Sequence, residues 1–377
     1  MRYEAVCIEA LGYLLPEEIV TTADLEQSLT PLYSRLRLPE GRLELMTGIR
    51  ERRFWPVGTL PSGPSVASGQ LALDAAGLDP RHVGCLIHAS VCRDHLEPAT
   101  ASIVHRDLGL SSDCVVYDVS NACLGILNGM VQVANMIELG QIKAGLVVGT
   151  ESGRALVENT IAALNRDTSL TRESIKHSVA SLTIGSASAA VLLVHRDLSQ
   201  TDNRLLGATA RAATEHNDLC RSGRDEAVAE QMLPLMRTDS EALLRQGVAA
   251  AKPAFDDFLA AQGWSRDELD KTFCHQVGIA HRRLMFEELA LDPVVDFATV
   301  EWLGNTGSAA LPVTMALGLE QGHVRPGDRI GMLGIGSGIN VLMLGAQWQT
   351  VPRPVGRVAG DARSSAALAR SDRGRSS

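Results

Sequence analysis

The chain has 377 residues, of which 45% are hydrophobic, 4% aromatic and 21% charged, and a formal net charge of −9. So few aromatics and so acidic a balance argue against a nucleic-acid partner, while the apolar content suffices for two domains or a duplicated pair. Seven cysteines, at 7, 85, 92, 114, 123, 220 and 274, are odd in number and free of CxxC pairs, which excludes a disulfide framework and fits a reducing cytosol.

The opening segment, MRYEAVCIEALGYLLPEE, carries acids inside its apolar run, unlike a signal peptide. Residues 4–10 are expected as a strand, and Thr21 or Thr22, ahead of Ala-Asp-Leu-Glu, as the cap of a helix. In LELMTGIRERRFW, Arg50, Arg52 and Arg53 follow a turn at Gly48. They either face an anionic ligand or make an ordinary solvated turn. Residues 65–78 form an Ala-rich helix ending at Gly77, and 83–91 a buried strand. The loop RDHLEPATASIVHRDLG places Glu97 before Pro98, which biases it away from helix. Most glutamates in such loops are surface carboxylates.

Residues 115–140, VVYDVSNACLGILNGMVQVANMIELG, are the centre of the pattern. A short β-branched strand turns through Ser120 and Asn121 into a long apolar helix with Cys123 in its first turn. A helix N-terminus stabilises a thiolate and draws the thiol pKa toward neutrality, so Cys123 is the candidate nucleophile; the alternative is a plain buried cysteine. The helix is apolar nearly all round and therefore central, and Gly125 and Gly129 would let another backbone approach. The uncharged run 119–137 contains Ser120, Asn121, Asn128, Gln132 and Asn135, so it reads as a buried helix and not a membrane span.

A strand at 144–148 ends in Gly149-Thr150-Glu151, residues 154–180 form a polar excursion with helix, and SLTIGSASAAVLLVHR gives a strand pair. The second part repeats the plan: LLGATARAAT as strand, a helical region over 225–262, a strand ending at His275, and a helix from about Ile279. Asn305 then sits in a turn before an apolar helix, placed as Cys123 is, and two strands close around a Gly-rich bend at Gly336-Ser337-Gly338. This order divides the chain into halves at 1–200 and 201–350. The tail, 351–377, has six Arg against two Asp and no aromatic, and is expected to be disordered. His281 is read as a helix-start or surface histidine, and no Cys/His/Asp cluster has metal-ligand spacing.

Cys at a helix start, His in Phe-Cys-His275-Gln and Asn in Gly-Asn305-Thr-Gly resemble the thiolase superfamily, in its ketoacyl-ACP synthase III branch. RDHLEPATASIV, YDVSNACLGILNGM, GNTGSAALP and LGIGSGIN resemble most the olefin-biosynthesis thiolases (OleA) and their β-lactone-pathway relatives. The resemblance implies an α/β fold of two similar halves in a five-layered αβαβα sandwich, with the site between them. It implies acylation of Cys123, an enolate held by His275 and Asn305, and an oxyanion hole from the backbone of Cys123 and Ser337. Arg50 and Arg52 are weaker candidates for substrate contact. Ordinary ketoacyl synthases III carry an apolar or aromatic residue where Glu97 stands. A carboxylate there suits a reaction without decarboxylation, in which an α-proton must be removed.

The expectation is therefore a cytoplasmic acyltransferase joining two fatty acyl-CoAs head to head, by a non-decarboxylative Claisen condensation, to a 2-alkyl-3-keto acid. It would need no cofactor beyond acyl-CoA as substrate and no metal. It would act as a homodimer, or a heterodimer with a paralogue, with Glu97 reaching into the neighbouring subunit. The alternatives are a decarboxylative ketoacyl-ACP synthase III or related acyltransferase using malonyl or carrier-protein substrates, and a partner subunit that only shapes a pocket.

Overall fold

The computed structural model describes residues 1–223, 235–275, 277–350 and 355–360. Ten strands make one mixed sheet: β1 (Val6–Leu15), β2 (Cys85–Ala89), β3 (Val115–Val119), β4 (Ala144–Glu151), β5 (Ala187–His195), β6 (Arg204–Ala212), β7 (Lys271–Cys274), β8 (Arg329–Gly336), β9 (Asn340–Gln347) and β10 (Val355–Val358). β1, β4, β5 and β8 are buried along nearly their whole length because both of their faces are covered.

The pairing pattern occurs twice. β1 runs antiparallel to β5, β5 antiparallel to β4, and β4 parallel to β2. In the same way β6 runs antiparallel to β9, β9 antiparallel to β8, and β8 parallel to β7. β1 joins β6 edge to edge through the pair Cys7 with Arg204, beside a bridge of Arg2 with Gly207. β3 extends the first set in parallel beyond β2 and forms its free edge.

Six helices complete five layers. α1 (Ser62–Ala76) and α2 (Thr100–Leu108) cover the outer face of the first set; α4 (Ser240–Gln262) and α5 (Ile279–Leu289) cover that of the second. Between the sets lie α3 (Gly125–Glu138) and α6 (Ala310–Glu320), whose apolar side chains form one cluster with the inner faces of both. The five-layered, thiolase-like arrangement is the one the sequence implied. Residues 187–195 form one strand, not the strand pair expected there.

Two other expectations change. The region 225–262 is helical from Ser240, and Met236–Thr238 is a strand paired with Cys220–Ser222; 224–234 lie outside the described residues. Within the tail, β10 pairs in parallel with β1 from Gly12 to Leu15, so residues 355–358 are ordered by ladder hydrogen bonds and not disordered. The remainder, 351–354 and 361–377, lies outside the described residues.

Two glycines measure how tightly the layers pack. A Cβ on Gly149 in β4 would stand 2.4 Å from the Ala89 carbonyl oxygen, whereas one on Gly247 in α4 would meet only Ile335 Cγ2, at an ordinary contact distance of 3.5 Å. Gly149→Ala should therefore lower stability by about 2 kcal/mol. Gly247→Ala should raise it by a few tenths to about 1 kcal/mol through helix propensity. Urea unfolding of the two variants checks both signs.

Candidate active site

β3 ends at Val119 and α3 begins at Gly125, so Cys123 stands in the connecting turn, two residues ahead of the helix. Ala122 beside it has φ 45°, a left-handed conformation for a residue with a Cβ. Asn121 holds the turn, donating from Nδ2 to Asn128 Oδ1 at 2.8 Å and accepting from Asn340 Nδ2 at 3.4 Å. The thiol opens on a cavity of about 710 Å³, which is also lined by His275, Asn305, Ser337 and Glu151.

The local electrostatics differ from the expectation. Burial first, then the Glu151 carboxylate and the Cys220 thiol, push the Cys123 thiol up to about 12 and not toward neutrality. The free protein therefore holds a protonated thiol at physiological pH.

His275 follows the last residue of β7, where its backbone N–H donates to Leu333 O at 3.1 Å. Burial, then the neighbouring His281, lower its pKa to about 3, so the imidazole is neutral. Its Nδ1 is buried without a hydrogen-bond partner among the described residues. Asn305 is fixed from both sides: its N–H donates to Thr183 O and its carbonyl accepts from Gly185 N–H, each at 2.9 Å. Its Oδ1 accepts from Gly307 N–H at 3.0 Å, which turns the amide nitrogen into the donor available to the cavity. A Cβ on Gly336 would lie 3.6 Å from the Cys123 nitrogen. The bend carrying Ser337 thus packs directly against the backbone of the cysteine.

Sequence reasoning missed Glu151 and set His281 aside. Glu151, the last residue of β4, is 6% exposed. It accepts from Ser308 Oγ at 2.6 Å and from the N–H groups of Ser308 and Val91 at 3.2 Å, tying the first half to the turn before α6. Its signal was a carboxylate closing an otherwise apolar strand. His281 is at a helix start, as expected, but it lines the cavity instead of facing solvent, and burial lowers its pKa to about 4.

The other candidates lie apart. Glu97 is exposed on the loop between β2 and α2 and does not line the cavity of its own chain. Arg50 is a solvent-facing partner of Glu301. Arg52 corrects its expectation outright, being 1% exposed and donating to Thr22 Oγ1 at 2.9 Å and Leu182 O at 3.2 Å. It satisfies backbone and hydroxyl oxygens inside the protein and cannot meet an anionic substrate. Among the described residues no group of three or more His, Cys, Asp or Glu is gathered for a metal ion.

Residues 65–233 match the family model of the thiolase N-terminal domain, and residues 259–348 that of the C-terminal part of 3-oxoacyl-[acyl-carrier-protein] synthase III. The acyl-CoA:acyl-CoA alkyltransferase of Shewanella oneidensis is 43% identical over 351 residues, covering 92% of this chain and 100% of the relative. That of Xanthomonas campestris is 34% identical over 348 residues, with the same coverage. Among solved structures, a cysteine-to-serine variant of Xanthomonas campestris OleA with bound lauric acid and lauroyl-CoA superposes with a TM-score of 0.86 at 34% identity. It covers 92% of this chain and 100% of that one. The chain belongs to the acyl-CoA:acyl-CoA alkyltransferase (OleA) family of thiolase-fold enzymes.

Proposed function

We propose that the protein joins two fatty acyl-CoAs head to head by a non-decarboxylative Claisen condensation and releases a 2-alkyl-3-keto acid. The observation that carries this reading is the gathering of Cys123, His275 and Asn305 around one cavity whose walls include Val91, Ile184, Leu243, Leu244 and Ile335. Such walls suit an acyl chain, and the polar groups converge where a thioester carbonyl would enter. The halves 1–200 and 201–350, in our reading, correspond to the two strand sets and supply the cysteine and the His/Asn pair respectively.

In the first step the Cys123 sulfur attacks the thioester carbon of one acyl-CoA, and coenzyme A leaves as its thiol. The sulfur's proton must depart during attack, because the free thiol is not ionised at neutral pH. A neutral imidazole has one N–H to donate and one lone pair to receive, so His275 can take part in either transfer. The backbone N–H of Cys123 and that of Ser337 serve the oxyanion of this step.

In the second step Glu97 of the neighbouring subunit removes the α-proton of a second acyl-CoA, and His275 and Asn305 hold the enolate oxygen. The α-carbon then attacks the acyl-cysteine carbonyl, forming the carbon–carbon bond and releasing the Cys123 sulfur, which regains a proton. Water cleaves the remaining thioester to give coenzyme A and the keto acid. No cofactor enters these steps, and acyl-CoA is the substrate. Assignment of Glu97 to a partner rests on its exposure, on its absence from the cavity of its own chain, and on the anchoring of the helix after its loop to Asp118 of β3, the free edge strand. The partner is a second copy of this chain or a paralogue. A cytoplasmic location agrees with seven free cysteines. No helix among the described residues is long and apolar enough to cross a membrane.

Incubation of the purified protein with one long-chain acyl-CoA and no malonyl thioester should yield coenzyme A and a coupled keto product, or the ketone formed from it by loss of CO2, in the mass spectrum. Acylated Cys123 that couples only when malonyl thioester is added would replace this reading with a decarboxylative synthase. Glu97→Ala should cut coupling by about 100-fold or more, the scale of general-base catalysis, while Cys123 still becomes acylated. In the free protein, the alkylation rate of Cys123 by iodoacetamide should rise about tenfold per pH unit through pH 9, as a thiol titrating far above neutrality requires. A plateau near pH 7 would contradict the protonated ground state.

A further inference from the structure

One carboxylate oxygen pins the turn that leads from Asn305 into α6. Oε1 of Glu151, the last residue of β4, accepts the Ser308 hydroxyl at 2.6 Å and the N–H groups of Ser308 and Val91 at 3.2 Å each. Val91 stands two residues beyond β2 and Ser308 two residues before α6, so the three bonds join distant parts of the chain at a single atom. Glu151 is 6% exposed and lines the same cavity as Cys123 and Asn305. An aliphatic side chain here would take the acceptor away from three donors at once, a loss that buried polar groups are arranged to avoid.

The chain of contacts runs on from Ser308 to the side chain of Asn305. The bonds to Thr183 O and from the Gly185 N–H hold only the main chain of Asn305. Its amide is oriented by the Gly307 N–H, which donates to Oδ1 at 3.0 Å. Gly307 has φ 57°, a left-handed conformation that glycine adopts freely. A Cβ there would stand 3.0 Å from Glu151 Cγ and Cδ. Glu151 therefore packs against Gly307 while it bonds Ser308, and a shift of this pair would move the N–H that orients the Asn305 amide.

We propose that Glu151 is a positioning residue for Asn305: by holding Ser308 and backing Gly307, it aims the Asn305 amide at the place where the enolate oxygen of the second acyl-CoA forms. The proposal rests on the assignment of Asn305 to the second step. The first step asks less of this turn, because its oxyanion is served by the backbone N–H groups of Cys123 and Ser337. Nor does loss of Glu151 weaken the nucleophile, since its negative charge opposes ionisation of the Cys123 thiol.

The full-length parent and its variants Glu151→Ala, Glu151→Gln and Asn305→Ala, incubated with one acyl-CoA, give two readouts: the rate of Cys123 acylation by intact-protein mass spectrometry, and the rate of coupled product. Glu151→Ala should keep acylation within about threefold and lose about tenfold or more in coupling, as a displaced reacting group does. Glu151→Gln, whose amide oxygen can accept the same three bonds, should recover most of that loss. Ser308→Ala removes one of the three donors; it should show the same split on a smaller scale and serves if Glu151→Ala does not fold. Unchanged coupling in Glu151→Ala, an equal fall in both readouts, or a Gln variant as poor as the Ala variant overturns the proposal. When Asn305→Ala loses coupling and Glu151→Ala does not, only the role of Glu151 falls. When Asn305→Ala couples like the parent, the assignment of Asn305 falls first and the proposal with it. A parent that makes no coupled product from acyl-CoA alone removes the condensation reading itself, before any variant is compared, and the proposal falls with that reading.

Discussion

Close packing between the first turn of α3 and the turn before α6 sets where the reactive groups stand. A Cβ on Gly125 would lie 3.1 Å from the Ala89 carbonyl carbon and oxygen and 3.4 Å from Ser308 Cβ. Without a side chain there, α3 can settle against β2 and against the turn that leads from Asn305 into α6. Cys123 precedes one of these inner helices and Asn305 the other, so the contact fixes their mutual position. Ser308 adds a polar tie, its Oγ lying 3.0 Å from Ala89 O and 2.6 Å from Glu151. The inner layer is at once the core of the protein and the frame of its site.

Burial also sets the charge state of that site. Cys123 and His275 are both driven toward their neutral forms, because a low-dielectric cavity penalises each ion. An ion pair between cysteine and histidine is thereby disfavoured in the free protein. Charge develops only when a substrate carbonyl and its donors are in place, which is where electrostatic stabilisation acts on the transition state rather than on the resting state.

Much of this was legible in the residues. Cys123, His275 and Asn305 each carry a local signal, a polar or nucleophilic residue at the end of a strand or in the turn before a helix, and the structure places all three on the wall of one cavity. The repeated strand order was visible as two similar successions of apolar runs. What escaped was long-range. Arg50 and Arg52 look alike in sequence, yet Arg52 points inward from within the strand Glu51–Phe54, while Arg50 stands just before it and turns to Glu301 in solvent. His281 and Glu151 sit in the cavity only because distant elements fold over them. The thiol's protonation also depends on neighbours no local window contains, Glu151 and Cys220 among them.

The unusually weak acidity of Cys123 bears on what happens between the two condensing partners. A sulfur whose thiol titrates near 12, against about 8.5 for an ordinary cysteine, is a reluctant leaving group. In the proposed cycle, the same low-dielectric cavity that disfavours the free thiolate would also slow its departure from an acyl-cysteine, whichever nucleophile attacks.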